Sequence, residues 1–106
     1  MLNHGASVNF ADEDGWTLLH VAVLQGHVEV VRELLSHGAS VDFANKICDT
    51  PLQFAAYKGH VEVVRVLLNH GASVDFANKM CDTPLQFAAY KGHLGVFRML
   101  LYRDAL

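Results

Sequence analysis

Cysteine, proline and basic residues are scarce in this 106-residue sequence. It has two prolines and two cysteines, Cys48 and Cys81, with no Cys-x-x-Cys pair and no cysteine–histidine cluster at zinc spacing. That pattern excludes a disulfide framework and a structural zinc site, and we expect two reduced thiols in an intracellular protein. The 8 Lys and Arg are outnumbered by 11 Asp and Glu, for a formal charge of −3. Nucleic-acid binding proteins have the opposite balance, so no nucleic-acid partner is expected.

Long apolar runs are absent as well. Uninterrupted apolar stretches such as Val21–Leu24 are far shorter than the about 20 residues that span a bilayer. Met1–His4 lacks the charged segment followed by an apolar one that marks a signal peptide. We therefore expect a soluble protein of the cytoplasm or nucleus, with no membrane partner. Hydrolase, zinc-protease, phosphate-loop and calcium-loop motifs are also missing, so we predict no catalytic residue, metal ligand or cofactor, and no enzymatic activity.

What the sequence does have is 52% hydrophobic residues and an internal repeat. Three sets of landmarks recur every 33 residues: Thr17, Thr50 and Thr83; Gly26, Gly59 and Gly92; and Gly5, Gly38 and Gly71. The period divides the chain into a partial unit at 1–11, full units at 12–44 and 45–77, and a shortened unit at 78–106. A period of this length predicts units that cannot bury their apolar faces alone and therefore stack into a solenoid.

Each unit opens with the signals of a short helix. Thr50 followed by Pro51 places a capping hydroxyl before the residue type that best tolerates the first helical position, so a helix is predicted to begin at Pro51. Gln53, three residues after the threonine, completes a capping box. Gly59 supplies the positive φ that ends this helix after about two turns of ~3.6 residues each.

A second helix is predicted after His60, with Glu62 in its first turn, where a negative charge suits the helix dipole. Its apolar stripe consists of Val63, Val64, Leu67 and Leu68. Gly71 ends it, and an extended segment and a polar stretch lead to the next unit. In the last unit the second helix is predicted over Leu94–Leu101.

These landmarks resemble the ankyrin-repeat family over essentially the whole chain. The matching segments of the middle unit are Thr50-Pro51-Leu52-Gln53, Ala55-Ala56, Gly59-His60, Val63-Val64, Leu67-Leu68 and Gly71-Ala72. The resemblance implies an all-α solenoid of stacked helix-turn-helix units with β-hairpin-like connecting loops. It also implies a non-catalytic scaffold whose concave side, made of hairpin tips and first helices, binds another protein.

Three departures from the family pattern are visible. Thr17-Leu18-Leu19-His20 lacks the proline, and Gln53 and Gln86 stand where the family usually has histidine. Cys48 and Cys81 occupy a hairpin-turn position usually held by glycine, which Gly15 fills in the first unit. Because a non-glycine residue at positive φ is uncommon, these two turns are expected to be strained or reshaped.

By resemblance, the variable contact positions of the family fall on three sets of residues. These are Glu13, Asp14, Trp16, Leu24 and Gln25; Lys46, Ile47, Asp49, Tyr57 and Lys58; and Lys79, Met80, Asp82, Tyr90 and Lys91. The alternative interpretation is a merely solvated face.

Aromatic residues are expected to divide between core and surface. Phe54 and Phe87 are predicted to pack under the helices. The arm residues Phe10, Phe43 and Phe76 are predicted to pack in the core or against the hairpins, with contact to a partner as the alternative. Trp16, Tyr57 and Tyr90 are predicted to be at least half exposed, as anchors for a partner.

Six of the seven histidines form two sets with the 33-residue period, one at His4, His37 and His70 and the other at His27, His60 and His93. Successive histidines of each set are one repeat apart, on the order of 10 Å at ordinary helix packing distance. That is too far for two of them to bind the same metal ion. A capping or turn role at helix ends is predicted instead.

Charge is distributed unevenly between the units. Residues 12–44 carry six acids and one base, residues 45–77 three of each, and residues 78–106 four bases and two acids. We therefore expect the partner to be acidic where it meets the last two units. The chain opens within a unit and its ends carry little polar capping, so an alternative function is a structural element that self-associates by stacking through its ends.

Overall fold

The computed structural model describes residues 7–105. His4 and Gly5, with most of the partial first unit, lie outside the described residues. Within the described part the chain forms six α-helices and no strand. The helices are α1 (Leu18–Gln25), α2 (Val28–Ser36), α3 (Pro51–Lys58), α4 (Val61–Asn69), α5 (Pro84–Lys91) and α6 (Leu94–Ala105). The predicted all-α architecture is confirmed.

The first helix of each unit begins and ends where the sequence predicts. α3 starts at Pro51, and the Thr50 N–H donates to the Gln53 side-chain oxygen across 2.6 Å. This bond satisfies an amide that the helix itself leaves without a partner. The helix ends at Gly59, whose φ of 77° is left-handed.

The second helices carry the main apolar stripe. α4 begins directly after His60, and Val63, Val64, Leu67 and Leu68 are all buried, as predicted. α6 is longer than the predicted Leu94–Leu101 and continues to Ala105. The prediction was too short because the polar residues after Leu101 include neither glycine nor proline, so nothing there breaks the helix.

The helices form two layers. α1, α3 and α5 pack side by side in one layer, and α2, α4 and α6 pack side by side in the other. The core lies between the layers, and its most completely buried apolar side chains are Leu19, Val23, Val31, Leu52, Val63, Val64, Leu67 and Val96. The resulting body measures 40 × 26 × 23 Å, as expected for a stack that grows in one direction.

The loops between units end in hairpin-like tips at residues 12–16, 45–49 and 78–82. In the last tip the Asn78 N–H donates to the Asp82 carbonyl across 3.0 Å. The Lys79 N–H donates to the Ile47 carbonyl of the preceding tip across 3.1 Å. The tips are therefore hydrogen-bonded to one another in a row, and we call the side formed by them and by α1, α3 and α5 the tip-and-helix face.

The histidines between paired helices join one unit to the next. Nε2 of His93 donates to the Tyr57 carbonyl across 3.0 Å, and His60 makes the same contact with the Leu24 carbonyl at 3.2 Å. At the other helix end, His70 Nδ1 lies 3.0 Å from the Val66 carbonyl, one turn earlier in its own helix. His70 thus has the predicted capping role, whereas His60 and His93 bond to the preceding unit, a contact that the sequence did not predict.

Candidate functional site

Asparagine side chains shape the tips of the tip-and-helix face. Oδ1 of Asn78 accepts hydrogen bonds from the backbone amides of Met80 (2.9 Å) and Asp82 (3.0 Å). Its Nδ2 donates to Asp49 Oδ1 in the preceding tip across 2.9 Å. One side chain therefore shapes its own turn and holds the neighbouring tip in register.

Cys48 and Cys81 adopt the left-handed conformation that their place in the turn predicted. Their φ angles are 66° and 68°, against 84° for Gly15 at the corresponding position. A side chain at such φ costs on the order of 1 kcal/mol or more. Both thiols are free, with Cys81 exposed and Cys48 half-buried.

Gln53 connects α3 to the unit that follows it. Besides accepting from Thr50, its side-chain nitrogen donates to the Asp82 carbonyl (2.8 Å) and the Phe76 carbonyl (3.1 Å). Its counterpart in the first unit is His20, which is completely buried. Desolvation by burial lowers the pKa of His20, and the Asp49 and Phe43 carbonyls oppose that shift only in part.

Most of the candidate contact residues lie on the exposed side of the tips and first helices. Exposed are Glu13, Asp14, Gln25, Lys46, Ile47, Tyr57, Lys58, Lys79, Met80, Tyr90 and Lys91. Half-buried are Trp16, Leu24 and Asp82. Asp49 is buried, with 6% of its surface exposed.

The expected exposure of the aromatic anchors is correct only for Tyr90. Tyr90 is 66% exposed, but Tyr57 is 43% exposed, because it packs edge-on against Phe87 with ring centroids 5.7 Å apart. Trp16 is half-buried, because its ring stacks on that of Phe54 in the next unit at 4.9 Å. Sequence position could not show this contact, since it depends on how two units pack.

The phenylalanines also differ in part from expectation. Phe54 and Phe87 are only partly buried against the core, and each keeps a side open to the tip-and-helix face. Phe43 is half-buried, whereas Phe76 is 42% exposed and Phe10 is 72% exposed. The packing predicted for Phe10 is therefore wrong within the described part of the chain.

A cleft of about 200 Å³ opens between the first helices and the middle tip. It is lined by Leu24, Asp49, Gln53, Phe54, Tyr57 and Phe87. The candidate contact residues did not include Gln53, Phe54 or Phe87. The spacing of Phe54 and Tyr57 is a signal that could have found the cleft, because residues three apart share one face of a helix.

In the middle and last units, the charge on this face comes mainly from lysines. Lys46, Lys58, Lys79 and Lys91 are all exposed, and Lys91 Nζ lies 4.9 Å from the centre of the Tyr57 ring. Burial raises the pKa of Asp49, and the nearby Asp82 adds to the shift, whereas the hydrogen bond from Asn78 opposes it. The middle of the face thus has one buried carboxylate among exposed ammonium groups.

The described part of the chain offers neither a metal-binding cluster nor a membrane-spanning helix. Among the described side chains, those of residues 7–103, no three His, Cys, Asp or Glu groups lie close enough to hold a metal ion. None of the six helices is long and apolar enough to cross a membrane.

Comparison with known proteins finds one family. A family model described as ankyrin repeats (many copies) matches residues 1–35, 19–68 and 55–101. The three matches overlap and together extend over residues 1–101. No curated protein matches the chain.

Proposed function

This chain belongs to the ankyrin-repeat family, whose members are generally non-catalytic protein-interaction modules, and we propose that it binds a protein partner through its tip-and-helix face. In this proposal residues 1–106 act as one domain with unit boundaries at 12, 45 and 78. The contact residues are those that the resemblance assigned, with Asp49 contributing from within the cleft.

The observation that carries the proposal is the set of large apolar side chains exposed on this one face. Ile47 and Met80 project from the middle and last tips, and Met80 is 79% exposed. Tyr57 and Tyr90 project from the ends of α3 and α5. Tyrosine and exposed apolar groups beside a partly open cleft are the anchors that protein interfaces use.

Charge supports an acidic partner beside the last two units. The four exposed lysines of the face belong to the middle and last units, whereas Glu13 and Asp14 dominate the first tip. Pairing of exposed charges is screened by salt, so binding should weaken as ionic strength rises from 50 to 500 mM, over which the Debye length falls from ~14 to ~4 Å. Binding that is insensitive to salt would contradict the acidic partner.

The test is an affinity pull-down from cell lysate, comparing wild type with a Tyr57→Ala/Tyr90→Ala variant. A Phe10→Ala/Tyr102→Ala variant is the matched control, because both of its aromatic residues are exposed and neither belongs to α3, α5 or the tips. Circular dichroism checks that all three chains fold. We expect one protein to be retained by wild type and by the control and lost from the Tyr57/Tyr90 variant. Equal retention by all three chains would reject the tip-and-helix face.

A second candidate function, self-assembly by stacking, is favoured by the surface around Gly92. A Cβ at Gly26 would lie 2.9 Å from the His60 ring, and one at Gly59 would lie 2.6 Å from His93, whereas one at Gly92 would meet nothing within 4 Å. An open depression of about 320 Å³ lies there. The exposed His27 of a second copy could fill it as His60 and His93 fill theirs.

Light scattering over a concentration series separates the two functions. Stacking predicts a molar mass that rises with concentration. His27→Ala should reduce this rise, and Tyr57→Ala/Tyr90→Ala should leave it unchanged. A strict monomer at all concentrations would reject stacking and leave the binding module.

A further inference from the structure

The cleft on the tip-and-helix face has one polar group whose hydrogen bonding is incomplete. Only 6% of the Asp49 surface is exposed, and the Asn78 side chain donates a hydrogen bond to its Oδ1. Within the described part of the chain its Oδ2 accepts no hydrogen bond, and no Lys, Arg or His nitrogen lies within 4.0 Å of its carboxylate. The carboxylate nevertheless lines the cleft, so an incoming group can reach it.

The rest of the cleft wall is apolar and mainly aromatic. Phe54, Tyr57 and Phe87 provide three rings, and Leu24 closes one side. The Tyr57 ring already attracts a cation within this chain, since Lys91 Nζ lies 4.9 Å from its centre. Aromatic faces attract cations through their quadrupole, most strongly where water is partly excluded.

These features define what the cleft can accept. An apolar side chain would shield Oδ2 of Asp49 from water without donating a hydrogen bond or a positive charge to it, and burying a charge without full compensation is unfavourable. A second carboxylate would be repelled. A cationic side chain would pair with Oδ2, keep its aliphatic stem against Leu24 and Phe54, and place its charge beside the rings.

We propose that the cleft binds one basic side chain, lysine or arginine, of the protein partner. The inference rests on the proposed function and adds a specificity element to it. The acidic residues expected of the partner then flank this basic anchor and meet the lysines around the cleft. Recognition therefore requires a basic residue in an acidic segment, rather than negative charge alone.

The test uses the whole chain and three capped tripeptides, glycine–X–glycine with X as lysine, arginine or norleucine. Norleucine is the matched probe, because it has an unbranched aliphatic side chain without the charge. Amide shifts in nitrogen–proton NMR spectra report binding at Asp49, Tyr57 and Phe87. We expect shifts with the lysine or arginine peptide that are weaker in high salt, and none with norleucine. The tighter of the two basic peptides identifies the anchor.

Asp49→Asn is the decisive variant, because it removes the charge and still offers an oxygen to Asn78. Asp75→Asn is its control, because it removes one carboxylate charge from an exposed residue that neither lines the cleft nor belongs to the candidate contact residues. We expect Asp49→Asn to bind the basic peptide at least about tenfold more weakly than wild type, because a charge-assisted hydrogen bond is lost. Asp75→Asn should bind within about twofold of wild type, a difference below ~0.5 kcal/mol. Equal binding of norleucine and lysine, or full binding by Asp49→Asn, would overturn the anchor.

The pull-down separates this inference from the function on which it rests. If Asp49→Asn retains the partner fully while Tyr57→Ala/Tyr90→Ala loses it, the face binds a protein but the basic anchor is wrong. If neither variant nor wild type retains a partner, the proposed function itself fails.

Discussion

The contact between Gly59 and His93 predicts unequal effects for two identical substitutions. Gly59 and Gly92 follow the same eight-residue helix sequence and have nearly the same φ, 77° and 73°. A Cβ at Gly59 would lie 2.6 Å from His93 Nδ1, whereas a Cβ at Gly92 would meet nothing within 4 Å. Alanine at Gly92 thus tests backbone conformation alone, and alanine at Gly59 tests conformation together with the junction between units.

The magnitudes follow from these two contributions. Left-handed φ costs a non-glycine residue about 1–2 kcal/mol, and the lower unfolded-state entropy of alanine returns about 0.4–1 kcal/mol. Gly92→Ala should therefore lower the free energy of unfolding by about 1 kcal/mol. Gly59→Ala must also displace the His93 ring or break its 3.0 Å bond to the Tyr57 carbonyl. Overpacking of this kind costs a further ~1–3 kcal/mol.

Urea unfolding followed by far-ultraviolet circular dichroism measures both changes. We expect Gly59→Ala to destabilise the chain more than Gly92→Ala by at least ~1 kcal/mol. In a double-mutant cycle with His93→Ala, Gly59→Ala should become less harmful, because the ring that it strikes is gone. Equal destabilisation by the two alanines, or strict additivity in the cycle, would refute the reasoning.

Three further predictions concern the turns, the buried histidine and the core. Cys48→Gly and Cys81→Gly should each raise the free energy of unfolding by about 0.5–1 kcal/mol, because glycine adopts the left-handed φ without strain; unchanged urea midpoints would contradict this. His20 has a lowered pKa in the folded chain, so the unfolded chain binds its proton more readily; the stability is complete above the unfolded value of 6.5 and decreases as pH falls below it. Urea midpoints measured from pH 7.5 to 5 should therefore fall more in wild type than in His20→Gln. Equal falls in the two proteins would show that His20 does not cause the pH dependence. Leu67→Ala should lower the free energy of unfolding by about 2–5 kcal/mol, because Leu67 is fully buried between the layers. A decrease under ~1 kcal/mol in urea unfolding would contradict this and show that neighbouring side chains fill the cavity.

Local sequence signals determined the helices and the unit period of this protein. Thr50, Pro51 and Gln53 act within the first turn of α3, and Gly59 ends the helix by its own φ, so these boundaries do not depend on distant residues. The stripe of α4 is likewise visible in the sequence, since burial follows the helical period.

The surface was less predictable, because exposure depends on how neighbouring units pack. Tertiary packing decided that Trp16 lies against Phe54 and that Asp49 is buried beside Asn78, although the family resemblance placed both among the contact positions. It also decided that the rings of α3 and α5 form one cleft with that carboxylate. The sequence by itself determined the repeating unit through short-range capping and periodicity, whereas the stacking of units, a long-range contact between different turns and helices, decided which side chains a partner can reach.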